Sequence, residues 1–240
     1  MDESRSPWAT RGFVLGAALV AFVAVLAVLL VVTGHDRHPA NSTARATRAP
    51  SRVSVSAAKP SAAGSECGLP AGSQSVPTSP PAAAGWVLVG SMAAPNSPAS
   101  VGPGRTAGGF RQCFAHSPIG ALFSAVNFWA AGTAFPPSQV YAHLAADTPS
   151  RAAAVRFSEG DGSRLSDSGQ VQLAGFEFNS YSSSQADLSI VLQSTDGQLV
   201  TVACTMLWQA GDWRYEIPPS GAPAAGQIQS LDGYVAWSDA

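Results

Sequence analysis

The chain has 240 residues, and its formal net charge of −2 arises from 13 basic and 15 acidic side chains. This balance leaves no basic surface large enough to predict direct nucleic-acid binding. Hydrophobic residues make up 46% of the chain and charged residues only 12%, so dense surface charge is not what keeps the protein in solution. Part of the apolar excess lies in one block near the N-terminus.

This apolar block runs from Phe13 to Thr33 without a charged residue or a proline, and 14 of its 21 positions are Leu, Val or Phe. Such a composition favours membrane insertion by about 4 to 8 kcal/mol. A helix of this length rises about 30 Å, the thickness of the hydrocarbon core. We therefore predict a transmembrane helix over residues 13–33 after a short tail, residues 1–12. The alternative is a cleaved signal peptide, whose apolar region is shorter and is followed by a small-x-small cleavage site.

The charges beside the block bear on its topology. Two arginines, Arg5 and Arg11, precede it, whereas four arginines follow between residues 37 and 52. Simple counting would place the C-terminal side in the cytoplasm, but a long downstream domain is translocated largely regardless of nearby charge. We predict a single-pass protein of the cell membrane whose C-terminal domain is extracellular.

A segment rich in small residues follows. From Pro39 to Gly85, 35 of 47 residues are Ala, Ser, Thr, Pro or Gly, and none is aromatic. A segment of this kind buries too little apolar area to offset the entropy lost on ordering. We predict a disordered tether over residues 34–85, with a root-mean-square span of roughly 40 Å, and a folded domain over residues 86–240.

Helix signals come early in this domain. Trp86–Val89 reads as a short strand and is followed by a Gly/Pro-rich loop through Gly109. Ser117 is a good N-cap and Pro118 is favoured at the first helical position, so a helix is predicted from there to about Ala131. Further helices are predicted around residues 138–144 and 149–157.

The pattern then changes to the period of two that is typical of strands. Strands are predicted around residues 171–178, 188–192, 200–208 and 213–217. The first changes phase at Ala174–Gly175, which indicates a β-bulge. Helices followed by antiparallel strands predict an α+β fold, and we expect a cone-shaped nuclear transport factor-like or cystatin-like domain in which helices pack on a curved antiparallel sheet.

Two segments of the domain resemble a known family. The run RQCFAHSPIGAL from Arg111 to Leu122 and the segment WQAGDWR from Trp208 to Arg214, with Gly85–Trp86, look like the signature of an uncharacterised family of actinobacterial single-pass membrane proteins associated with conjugation. The resemblance implies a domain similar to those of TcpC-like conjugation scaffold proteins, which assemble with other channel subunits. The candidate interaction or family-motif residues on this basis are Arg111, Phe114, His116, Ser117, Pro118, Gly120, Trp208, Asp212 and Trp213.

Three cysteines leave their pairing open. Cys113 and Cys204 lie in the predicted domain, and an extracellular location would favour a disulfide between them. The alternative is two buried free thiols, because Cys204 lies on an apolar strand face. Cys67, in the predicted tether, is then a free thiol or an intermolecular link.

Patterns for catalysis and metal binding are weak. Cys113 and His116 have the spacing of metal ligands, but a zinc site needs a further ligand, and only His143 and Cys204 remain in the domain. The chain has no G-x-S-x-G, G-x-G-x-x-G or P-loop pattern. We therefore predict no catalytic residues, no metal and no cofactor.

The leading functional hypothesis is a membrane-anchored scaffold or assembly component of a conjugation or type IV secretion-like apparatus, acting by protein–protein binding. Its expected partners are the lipid bilayer, other envelope or conjugation-channel subunits, and further copies of itself. The alternative is an envelope ligand-binding module on the same cone fold. A cone-fold hydrolase or isomerase is the weaker alternative.

Overall fold

A computed structural model describes residues 64–239, in which ten β-strands, three α-helices and one 3-10 helix follow one another. The helices are α1 Pro118–Ala134, α2 Pro137–Leu144 and α3 Pro149–Phe157, and the 3-10 helix is Leu165–Ser168. The strands are β1 Gly85–Val89, β2 Met92–Asn96, β3 Arg105–Ala107, β4 Phe110–Gln112, β5 Val171–Tyr181, β6 Gln185–Ser194, β7 Leu199–Gln209, β8 Asp212–Tyr215, β9 Ala225–Ile228 and β10 Val235–Ala236.

The predicted fold class, a transmembrane helix joined to a cone-shaped domain, is wrong. The described residues form an α+β structure of helices and antiparallel sheets, and four strands come before the first helix. Within residues 64–239, no helix combines the length and the apolar character needed to cross a bilayer. The predicted span, residues 13–33, lies outside the described residues.

Helix α1 is the centre of the domain. The Ser117 side chain accepts a hydrogen bond from the Gly120 amide, and Pro118 occupies the first turn, as predicted. Thirteen of its 17 residues are buried, so this helix is covered on nearly all sides rather than along one stripe. The chain leaves the helix at Phe135, in extended conformation.

The largest sheet has the strand order β10-β5-β6-β7-β8, and β9 pairs with β7 beyond the end of β8. Its register shifts between Leu173 and Gly175, which confirms the predicted bulge. Gly175 is required there because a Cβ would lie 2.9 Å from the Val235 carbonyl oxygen of β10. The sheet covers α1 through a core that includes Phe123, Phe176 and Ile190.

Two short hairpins flank this core, β1–β2 and β3–β4. The predicted loop through Gly109 is wrong, because that stretch contains strands β2 and β3. Small residues and proline in β2, Met-Ala-Ala-Pro-Asn, do not alternate in polarity. This strand is nevertheless buried because it packs against α1 and β5.

The chain before β1 also differs from prediction. Residues 64–84 lie in the predicted tether, but Leu69 is buried and Cys67 forms a disulfide with Cys113. The Gln74 side chain donates a hydrogen bond to the His116 carbonyl oxygen and accepts one from the Tyr181 hydroxyl. These contacts attach the segment to the domain, so the folded part begins before residue 86.

Two glycines of α1 provide a test of how closely this helix is packed. A Cβ at Gly120 would overlap the Ala115 carbonyl, whereas a Cβ at Gly132 would lie 4.0 Å from the Leu165 Cβ. We expect Gly120→Ala to lower the free energy of unfolding by roughly 2 kcal/mol or more, because backbone must move. Gly132→Ala is the control and should be neutral or stabilising by up to about 1 kcal/mol. Urea unfolding of the full chain measures both, and equal stability of the two variants would contradict this packing.

Candidate functional site

The family-motif residues meet where β4 ends, α1 begins and β8 starts. The Asp212 carboxylate, 1% exposed, accepts hydrogen bonds from the backbone amides of Cys113 and Phe114, each at 2.8 Å. It also lies 3.3 Å from the Arg214 guanidinium. Burial raises the pKa of Asp212, although Arg214 and the two amides act in the opposite direction.

Aromatic rings complete the same junction. The Trp213 indole nitrogen donates a hydrogen bond to the Ala115 carbonyl oxygen at 3.0 Å. The His116 ring stacks on Trp208, with centroids 4.0 Å apart, and its Nε2 is hydrogen-bonded to the Ser183 carbonyl oxygen. The remaining motif residues, Ser117, Pro118 and Gly120, form the first turn of α1.

Arg111 is held by amide oxygens rather than by a carboxylate. Its guanidinium donates hydrogen bonds to Asn127 and Asn96, both at 2.7 Å, and the residue is 9% exposed. Burial lowers the pKa of the guanidinium. The network joins β4, α1 and β2, so its role is to position these elements.

The structure therefore brings the candidate residues together, but as a buried junction rather than an open site. Phe114, His116, Asp212 and Trp213 are all buried. Within the described part of the chain, no three His, Cys, Asp or Glu side chains are grouped as a metal ion would require. Among the candidate residues, Trp208 is only partly buried.

Of the alternatives left open for the cysteines, the disulfide between Cys113 and Cys204 does not form, because Cys113 is bonded to Cys67, with Cα atoms 6.1 Å apart. Cys204 is a buried free thiol that accepts a hydrogen bond from the Trp129 indole at 3.3 Å. Burial raises its pKa to about 12. The alternation of β7 turns Cys204 towards α1, while Cys113 lies at the end of β4 beside residues 65–67.

The edge of β1, formed by Trp86–Leu88, is an open surface. This strand pairs with β2 on one side, and no described strand pairs with its other side. Leu88 is 67% exposed and Val87 39%. The corresponding edge of β2 is covered, since Gln172 accepts a hydrogen bond from the Ala93 amide and donates one to the Ser91 carbonyl oxygen.

A second open feature is a cleft of about 520 Å³. Its walls come from the C-terminal half of α1, from α2, from α3 and from residues 217–223 after β8. Tyr141 and Tyr215 line it, and burial raises the pKa of both hydroxyls, of Tyr215 most strongly. We call this feature the α3 cleft.

Sequence reasoning missed both open features. It predicted the strand at Trp86 but no hairpin partner, and therefore no edge. The short helix α3 could have indicated the cleft, because it carries apolar residues and none of them is buried. The aromatic residues opposite it are distant in sequence, so their meeting is not visible in local patterns.

These features define an α+β domain with a central buried helix, an N-terminal segment attached by a disulfide, and two open apolar surfaces. The chain belongs to the family described as Domain of unknown function (DUF8175), which matches residues 46–236. No curated protein and no solved structure matches it.

Thiol reduction tests the cysteine pairing. The disulfide joins residues 46 positions apart, and a loop of that size predicts a loss of about 4 kcal/mol when the bond is removed. Cys67→Ser should therefore lower stability by this amount and make the melting temperature insensitive to dithiothreitol. Cys204→Ser should keep the sensitivity to dithiothreitol. Loss of that sensitivity in Cys204→Ser would instead indicate a bond between Cys113 and Cys204.

The buried carboxylate predicts a pH dependence of stability. Because the pKa of Asp212 is raised in the folded state, the folded protein binds more protons than the unfolded chain at pH values above the ordinary carboxyl pKa of about 4. Its contribution therefore makes stability fall as pH rises from about 4 through the raised value. Asp212→Asn should remove this part of the slope in urea unfolding measured between pH 4 and pH 7.

Asp187→Asn is the matched control. Burial acts to raise the pKa of Asp187, but hydrogen bonds from Ser180, Gln185 and Thr205 outweigh it and lower the pKa. Its contribution to stability is therefore lost only as pH falls below about 4. An unchanged slope in Asp212→Asn, or an equal change in Asp187→Asn, would contradict the assignment.

Proposed function

We propose that this protein is a non-enzymatic assembly component of a conjugation or type IV secretion-like apparatus, and that it binds an extended segment of another subunit along the edge of β1. The observation that carries the proposal is this unpaired edge with its exposed apolar side chains. The resemblance of the motif segments to conjugation-associated proteins supports the assignment to a conjugation or type IV secretion-like apparatus.

The backbone of β1 supports binding of a peptide strand. In an antiparallel pair, residues alternate between those bonded to the partner strand and those whose N–H and C=O groups point away from it. The Ala93 amide bonds outside the pair, to Gln172, so its partner Leu88 also directs its backbone groups away from β2. Only another peptide backbone matches a row of such groups, which is the basis of strand addition.

The exposed side chains add apolar area to the same edge. Burial of one leucine contributes roughly 1.5 to 3 kcal/mol, which corresponds to about ten- to a hundredfold in affinity. Natural proteins usually protect an open edge with charges or proline, but Gly-Trp-Val-Leu-Val contains neither. An unprotected edge of this composition is consistent with a bound partner strand.

The disulfide supports a location outside the cytoplasm. Disulfide bonds form and persist in oxidising compartments and are rare in the cytosol. The bond between Cys67 and Cys113 holds the segment before β1 on the domain. This bond therefore supports the proposal that the domain works at the cell envelope, on the outer side.

The test uses donor cells that lack the gene for this protein and are complemented with variants of it. The quantity compared is the efficiency of conjugative transfer to recipient cells. Leu88→Asp puts a charge on the β1 edge and should reduce the number of transconjugants about tenfold or more, as the deletion does. Val76→Asp is the control, because Val76 is another exposed apolar residue, 39% exposed, that lies outside β1. It should restore transfer to the wild-type level.

Two results would contradict the proposal. Unchanged transfer in the deletion strain would contradict a role in the conjugation apparatus. Full complementation by Leu88→Asp would contradict partner binding at the β1 edge. The thermal unfolding of Leu88→Asp should match that of the wild type, because the side chain is two-thirds exposed.

A further inference from the structure

The α3 cleft lies on elements that do not include the β1 edge, and its walls are almost entirely apolar. Six aromatic side chains line it: Phe128, Trp129, Phe135, Tyr141, Phe157 and Tyr215. Phe157 is 61% exposed although it belongs to this wall. A volume of about 520 Å³ is within the range of small-molecule sites, which are typically apolar with a few placed polar groups.

Helix α3 stands away from the body of the domain. None of its nine residues is buried, and it packs mainly on α2. Thr148 caps its first turn, and Gly160 follows its last. Its apolar residues Ala153, Ala154 and Phe157 line the cleft.

The hydroxyl groups of the cleft provide an independent observation. Tyr215 is 3% exposed, its ring stacks on Phe128 at 4.1 Å, and its hydroxyl has no hydrogen-bond partner among the described residues. The Tyr141 hydroxyl likewise has none in this part of the chain. By contrast, Tyr181 and Tyr234 outside the cleft donate to Gln74 and Thr201. Buried tyrosine hydroxyls usually find a partner, so the hydroxyl of the buried Tyr215 is available to a ligand, as is that of the partly buried Tyr141.

The charges of the wall indicate what such a ligand carries. Among the described residues that line the cleft there is no Lys, Arg or His, and the acidic one is Asp161. An anionic ligand would find no counter-charge and would meet this carboxylate. Burial and the charge of Asp161 raise the pKa of Tyr141, so its hydroxyl remains a proton donor at neutral pH.

We propose that the α3 cleft binds an uncharged molecule with an apolar body and one oxygen acceptor, such as the carbonyl of a neutral acyl ester, which takes the hydrogen bond of Tyr215. Tyr141 is the second donor. The apolar body lies between α3 and the aromatic side chains of α1. This site is independent of the β1 edge.

Binding of two probes with the same chain to the full-length protein tests the ligand class. The probes are 1-monolaurin and laurate, each below its critical micelle concentration, and binding is followed by isothermal titration calorimetry and by the intrinsic tryptophan fluorescence, to which Trp129 contributes from the cleft. We expect saturable binding of 1-monolaurin and roughly tenfold weaker binding of laurate, because Asp161 repels the carboxylate. Equal or tighter binding of laurate would overturn the proposal.

Single hydroxyl deletions test the contact. Tyr215→Phe and Tyr141→Phe should each weaken 1-monolaurin binding by roughly three- to tenfold, the effect of one hydrogen bond. Tyr234→Phe is the matched control, since its hydroxyl bonds to Thr201, and its affinity should be that of the wild type. Wild-type affinity in both cleft variants would overturn the assigned donors.

Filling the cleft tests its location. Ala153 and Ala152 are neighbouring exposed residues of α3, and only Ala153 lines the cleft. Ala153→Trp should abolish binding of 1-monolaurin, and Ala152→Trp should retain it. Absence of saturable binding to the wild-type protein, or equal binding to the two tryptophan variants, would overturn the site.

Discussion

The domain depends on one buried carboxylate and the turn of backbone that it holds. Asp212, at the start of β8, satisfies the amides of Cys113 and Phe114, where Cys113 has a positive φ of 71°. A residue other than glycine rarely adopts that conformation, and it persists only when its surroundings determine it. The turn directs the chain from β4 into α1, so the position of the central helix follows from this interaction.

The same junction explains why the motif residues other than Trp208 are buried. Trp213 bonds to the carbonyl of Ala115, one residue before His116, and the Gly120 backbone lies directly against that carbonyl. Substitution at any of these positions would disturb the start of α1. Their resemblance to a family signature is therefore explained by a requirement of folding.

Those surfaces share a physical origin. The elements around α1 are too short to cover every apolar face: β1 belongs to a sheet of only two strands, and α3 packs against little besides α2. Within residues 64–239, the first leaves an open backbone edge, and the second leaves a cleft whose tyrosine hydroxyls have no hydrogen-bond partner. Exposed apolar area of this kind usually marks a site of interaction in soluble domains. The proposed strand partner and the proposed apolar ligand would thus contact different residues of the domain.

The amino-acid sequence by itself determined the elements whose signals act over a few residues. The cap at Ser117 with Pro118, the alternation in β5 to β8 and the bulge at Gly175 were all predictable, because capping, side-chain periodicity and turn chemistry are local. The tertiary structure alone decided the partner of Cys113, the attachment of residues 64–84, the hairpin β1–β2 and the cleft. Each of these depends on groups far apart in the chain, such as Asp212 with Cys113 or Tyr215 with Phe128, and their meeting is set by how the whole domain packs rather than by any local pattern.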